Sequence, residues 1–278
     1  MKNYFKTALA CVALSAIYFQ GCKPKEAAPV LDEEITKDTA NAEAKQSLSL
    51  LSVNMPMLNE VTGELKKAGV QYNKSMLNPA SRGGSYQNNL KMAANLGVFG
   101  ADMGYAAAYG QNQDMMEYFG TTVQLADKLG LSSVFDKSLA QRFQGSLGKK
   151  DSLSLLITLA YDKADRNLRS NKRVSTSALI AAGGWVEGLY IATQAISGPR
   201  DTSTEELYNR VWNHVSSLGY LFKVLDLYTK EADCAKMRED LKPLQEVYDK
   251  YANVPKIGQA EMAFIKEKAA AVRAQVIN

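Results

Sequence analysis

"STSALIAAGGWVEGLYIATQAISG", residues 175–198, carries one charge, Glu187, across more than twenty positions, and the fold turns on whether this stretch lies in lipid or in protein. A carboxylate at the middle of a membrane span costs about 2.5–3.5 kcal/mol on insertion scales, and Ser, Thr and Gln dilute the apolar run further. The segment therefore reads as the central helix of an all-α domain, enclosed by protein, with Glu187 buried. Gly183, Gly184, Tyr190 and Gln194 share its face. A carboxylate in that position demands hydrogen-bond donors or a cation.

A second helix has the same character. "NLGVFGADMGYAAAYG", residues 95–110, holds Gly97, Gly100 and Gly104. An interior glycine costs about 1 kcal/mol against alanine, so the six glycines of the two helices cost about 6 kcal/mol, a large share of the roughly 5–15 kcal/mol that holds a domain folded. With Ala93, Ala101 and Ala107 the first set forms a smooth face at helical spacing, and Gly184 and Gly188 do the same. Such faces let another backbone approach closely, or leave room for a ligand against bare backbone. Asn88, Asn95, Asp102 and Tyr109 recur every seventh position on the first helix, with Lys91 and Tyr105 beside them, so two polar stripes cross an apolar interior. Tyrosine hydroxyls and Lys91 would satisfy the carboxylates structurally. Alternatively Asp102 and Glu187 face one cleft as an acid/base or ligand-binding pair. The candidate cleft residues are Lys91, Asp102, Tyr105, Glu187, Tyr190 and His214. His214, the only histidine, falls on the apolar line Leu207, Val211, Leu218, Leu221, Leu225 and reads first as a satisfied core residue.

The rest of the chain is helical by its periodicity. Met262, Ile265, Ala269, Val272 and Val276 form one apolar stripe, and Met237, Leu241, Leu244, Tyr248 and Tyr251 another, which Pro243 should kink. The pattern predicts eight or nine helices, over 56–69, 85–109, 112–129, 133–147, 151–171, 175–197, 204–229, 233–252 and 258–277. Ser203 with Glu206 suggests a capping box, Asp151 a cap, and Gly110, Gly130, Gly148 and Gly198 left-handed stops. Short loops make sequential neighbours antiparallel αα-hairpins, stacked as a bundle or a superhelix. Leu96-Gly97 and the aromatics after it resemble a tetratricopeptide pair, but the second helix falls out of that repeat's register and no self-similarity at its period follows. The likeness is architectural only. Leu48–Val53 is the lone strand-like stretch.

The N-terminus places the domain. Lys2 and Lys6 precede an apolar run from Thr7 to Phe19 that is too short to span a bilayer. It stops at "AIYFQGCKPKE", residues 16–26, where Gly21-Cys22 resembles the lipobox of bacterial lipoproteins; Phe19 and Gln20 depart from that family's preference for small residues. The resemblance implies cleavage before Cys22, which then carries acyl chains. Residues 1–21 are then a signal peptide, 22–45 a lipidated flexible tether rich in Ala, Pro and charge, and 46–278 a single all-helical domain. A tether of some twenty residues reaches roughly 25 Å. Lys23 after the cysteine suits outer-membrane sorting, so the expected location is the envelope, facing the periplasm. Cys11 leaves with the signal and Cys22 is modified, which strands Cys234 without a disulfide partner. At about 255 mature residues a core alone suffices.

Removing residues 1–21 takes Lys2 and Lys6 and no acid, so the balance falls from 33 basic against 29 acidic side chains to 31 against 29, or +2. That argues against nucleic acid. One histidine and one remaining cysteine exclude two-histidine and thiolate metal sites, and the methionines lack a copper-binding array. Arg82 in "SRGGSYQNN", residues 81–89, and the line Lys163, Arg166, Arg169 and Arg173 are weak anion sites, the latter interrupted by Asp162 and Asp165. No nucleophile elbow, P-loop, dinucleotide fingerprint or zinc-protease motif occurs. As a whole the chain resembles the all-helical envelope lipoproteins of diderm bacteria. The expectation is a lipid-anchored, non-enzymatic module, without cofactor, that binds a protein partner in the envelope. The alternative is an envelope enzyme or small-ligand carrier using Asp102 and Glu187.

Overall fold

The computed structural model describes residues 41–49, 58–196 and 198–278. The expected signal peptide, Cys22 and most of the expected tether lie outside the described residues, as does most of the strand-like stretch. Among the described residues every regular element is helical. Cys234 is a buried free thiol, and no described helix is long and apolar enough to cross a membrane.

The chain runs through α1 (41–49), α2 (Leu58–Lys67), two 3₁₀ turns (Lys74–Met76 and Ala80–Ser85), α3 (Asn89–Ala108), α4 (Asn112–Lys128), α5 (Lys137–Gly145) and α6 (Lys150–Ser170). It continues with α7 (Val174–Ala195), α8 (Glu205–Ser216), α9 (Leu218–Leu227), α10 (Ala232–Asp240), α11 (Lys242–Tyr251) and α12 (Gln259–Ile277).

The eight or nine expected helices become twelve among the described residues, for three local reasons. Residues 41–45, expected as the end of the tether, belong to α1, which buries Ala44 and Leu48 and accepts a hydrogen bond from Tyr228 at Asn41, 2.6 Å. The helix expected over 204–229 breaks at Ser217, whose hydroxyl turns back to the His214 carbonyl, 2.7 Å, and receives the Trp185 indole N–H, 2.8 Å; such local bonds compete with the helix ladder. The helix expected over 233–252 divides at Leu241, which leaves Pro243 in the first turn of α11, where its missing N–H is not needed.

The ends of the helices follow turn chemistry. Gly110 takes φ 74°, and its N–H and that of Gln111 cap the carbonyls of Ala107 and Ala106; Gly130 and Gly148 are left-handed too. The Ser203 capping box does not form. Asp201 instead accepts from the backbone N–H groups of Ser203 and Thr204, an Asx-type turn that does the same work. Asp151 lies inside the first turn of α6, where a negative charge suits the helix dipole, and not at the cap.

The most extensive helix pair is α3 with α7, which stand four helices apart in sequence, and around them pack α2, α4, α6, α8, α9, α10 and α12. The glycines explain the pair. A β-carbon on Gly97 would lie 2.0 Å from the Ile180 carbonyl oxygen, and one on Gly183 1.8 Å from that of Ala94. Gly100 receives the Tyr161 ring, whose hydroxyl donates to the Leu96 carbonyl, 2.6 Å. The bare backbone is thus occupied by backbone and ring, with no gap for a ligand at these glycines. Sequence neighbours such as α3/α4 and α11/α12 also pack, but a repeat stack would confine contacts to neighbours, whereas here a central pair carries the core.

Candidate functional site

Asp102 on α3 and Glu187 on α7 both have 0 % of their surface exposed, and the α3–α7 register sets them near enough that the Glu187 charge acts on Asp102. The third member comes from α12. Arg273 grips Glu187 with Nε and Nη2, each 2.8 Å from a different carboxylate oxygen, and Nη2 also donates to the Met76 carbonyl, 3.0 Å. Its guanidinium lies over the Tyr190 ring, 4.2 Å from the centroid. A bidentate pair of this kind is both strong and orienting. Burial works against the charge on Arg273, but its bonds to Glu187 outweigh this and hold it ionised.

The connection between α2 and α3 completes the site. Asn78 N donates to Asp102 Oδ2, 3.2 Å, while its side-chain amide donates to the Tyr86 hydroxyl, 3.0 Å, and to Asn95 Oδ1, 3.3 Å. Tyr86 passes the chain on to the Ile277 carbonyl, 3.1 Å, and Asn95 to the Val276 carbonyl, 3.1 Å. Asp102 Oδ1 and Asn78 Oδ1 are buried without a partner. Burial first, then the neighbouring Glu187 charge, push the Asp102 carboxyl well above its usual range, against the weaker opposing pull of Arg273.

The six expected cleft residues divide. Asp102 and Glu187 meet, and Tyr190 joins them through Arg273. Lys91 instead donates to the carbonyls of Gln275 and Val276, capping the C-terminus of α12. The Tyr105 hydroxyl accepts from Asn73 N, 3.3 Å, and its ring stacks on Tyr72, 5.3 Å between centroids, which pins the α2–α3 connection. His214 donates from Nε2 to the Trp185 carbonyl, 2.8 Å, packs against the Trp185 ring, and is held neutral by burial, its pKa pulled down to about 4. It is the satisfied core residue its apolar line suggests. Arg273, Asn78 and Met76 were missed. Only Arg273 left a signal, a charge four residues after Ala269 and three before Val276 on the apolar stripe of α12.

The basic residues expected as weak anion sites are engaged within the fold, Lys163 with the Ser133 carbonyl, 3.2 Å. Arg82 donates to Asn278, 2.8 Å; Arg166 and Arg169 pair with Asp162 and Asp165 on their own helix; Arg173 donates to the Leu129 carbonyl, 2.7 Å. Among the described residues no group of three or more His, Cys, Asp or Glu is placed to hold a metal. Away from the carboxylates, an open surface depression of about 380 Å³ between α5 and α6 is lined by Arg142, Gly145, Ser146, Ser152, Leu155 and Leu156. Beside it stand Leu147, Leu155 and Leu159, 40 %, 58 % and 40 % exposed. Comparison of the chain with family models, curated proteins and solved structures finds no match.

Proposed function

We propose that this chain is a lipid-anchored, non-enzymatic module of a diderm cell envelope, held by an acylated Cys22 at the periplasmic face of the outer membrane, that binds a protein partner there. The observation that carries the non-catalytic part is the closure of the Asp102–Glu187 pair. A reacting carboxylate must reach its substrate, and these two have no exposed surface and an internal arginine as counter-ion. Their chemistry is spent on joining α3, α7 and α12. The architecture is best read as a bundle about α3 and α7, not a superhelix of stacked hairpins. For the partner, the α5–α6 edge offers three exposed leucines and Arg142 beside an open depression, which suits a protein segment that places an apolar side chain next to a carboxylate.

The test is a native pull-down of the full-length chain from its own envelope, with intact-mass analysis of the eluate. Wild type should carry acyl mass, and Cys22→Ala should lose both that mass and the membrane fraction. A stoichiometric protein should co-elute with wild type and be lost with Leu155→Glu/Leu159→Glu. A lone protein carrying a small-molecule mass that disappears in Glu187→Gln would contradict the proposal and return function to the carboxylates.

A further inference from the structure

Two buried carboxylates face one arginine at the α3–α7–α12 junction, and the arginine is not shared evenly. Both of its bonding nitrogens engage Glu187, one of them also the Met76 carbonyl. Asp102 receives a single donor, Asn78 N, on Oδ2, and its Oδ1 has none. With both carboxylates ionised, the junction would hold an uncompensated negative charge with no exposed surface and a carboxylate oxygen without a donor, both of them costly. One proton removes both faults. On Asp102 Oδ1 it turns the orphan acceptor into a donor for the neighbouring Glu187, and it leaves one carboxylate against one guanidinium.

We infer that Asp102 carries a proton in the folded chain and donates it to Glu187, so that the contact of α12 with α3 and α7 is a proton-held clasp that weakens as pH rises. Every element packed on this point is consistent with a site closed by protonation. Glu187 faces it from α7 and Arg273 from α12; Tyr86 comes from the α2–α3 connection, Tyr118 from α4 and Tyr161 from α6. The three tyrosines are all pushed up by burial and stay neutral. The charges of α2 and α10 lie elsewhere: Lys66 of α2 donates to the Ala108 carbonyl, and Lys236 of α10 pairs with Asp240. Asp102 is thus the group at this junction whose proton can leave.

The direction of the effect follows from linkage. A carboxyl held protonated by the fold binds its proton more tightly folded than unfolded, where its pKa is near the ordinary 3.8. Its contribution to stability is complete below that value and is lost as pH rises toward the folded-state pKa, about tenfold in the unfolding constant per pH unit. Asp102→Asn mimics the protonated form, with an amide to donate to Glu187 and an oxygen to accept from Asn78.

The test compares denaturant unfolding of the full-length wild type and Asp102→Asn in detergent from about pH 5 to about pH 8. Wild type should lose about tenfold per pH unit against the variant, which should be the more stable of the two at the alkaline end. A ratio that does not change with pH, with the variant weaker throughout, would overturn the inference. So would stabilisation of wild type alone by sodium, potassium or calcium at the alkaline end, which would put a cation on Oδ1. If the variant does not fold, the infrared spectrum of wild type with labelled aspartate decides. A protonated-carboxyl carbonyl band that persists at neutral pH supports the proton, and carboxylate bands alone refute it.

Discussion

The α3–α7–α12 junction and the α5–α6 edge each break the usual arrangement of polar outside and apolar inside, in opposite senses. At the junction, Asp102, Glu187 and Arg273 lie within the core, yet the guanidinium, the Met76 carbonyl and the Asn78 amide answer most of their demands. At the edge, Leu147, Leu155 and Leu159 face outward beside a depression lined by Arg142. The two regions differ in whether their needs are met within the fold. The polar interior has recruited its own partners from three helices and a connection, so it serves the fold; the apolar exterior has recruited none within the described chain, so it is the place to look for a partner.

That contrast can be broken most forcefully at Arg273. Arg273→Met strands Glu187 in the core, and removal of one member of a buried pair costs about 3–5 kcal/mol; chemical denaturation at neutral pH should show a loss of that size. His214 gives the next effect. It is neutral when folded, with its pKa near 4 against an ordinary 6.5, so the unfolded chain binds the extra proton as pH falls between those values. The His214 contribution to stability should therefore fall on acidification from 6.5 to 4, by about 3 kcal/mol in total, opposite in sign to that of Asp102, and the difference in unfolding free energy between wild type and His214→Gln should change by that amount across the range.

Smaller effects separate glycines by what surrounds them. Gly97→Ala should destabilise by about 1–3 kcal/mol although alanine is the better helix former, because its β-carbon has no room against Ile180. Gly120→Ala, on an exposed face of α4 with nothing within 4 Å, should stabilise by about 1 kcal/mol. Thermal melts of the pair should move in opposite directions. The smallest change belongs to the edge: Leu155→Glu/Leu159→Glu should shift the unfolding free energy by no more than about 0.5 kcal/mol per site, while abolishing partner capture.

How much of this was legible in the sequence depends on how far the information had to travel. Helices were readable because their signals are local: the stripe through Met262, Ile265, Ala269, Val272 and Val276 is buried throughout, and Gly110, Gly130 and Gly148 stop helices as their chemistry requires. The breaks at Ser217 and Leu241 were harder. Ser217 bends its helix because Trp185, thirty-two residues away, holds its hydroxyl, and periodicity carries no trace of such a bond. The glycines of α3 and α7 announced a close approach but not its register, and the register is what decides that Asp102 meets Glu187. Lys91 was misplaced for the same reason, since its partner is the C-terminus of α12. Asn78, in a connection with no period at all, was invisible.

If the buried carboxylate cluster serves to hold the fold, Glu187 and Arg273 should be replaceable together. The decisive measurement is the unfolding free energy of Glu187→Leu with Arg273→Met, set against wild type and against Arg273→Met alone. The double replacement should recover most of the roughly 3–5 kcal/mol lost by the single one, because no buried charge is left unpaired, and partner capture should be unchanged. Recovery of stability with loss of partner capture, or of any bound small-molecule mass, would contradict this expectation.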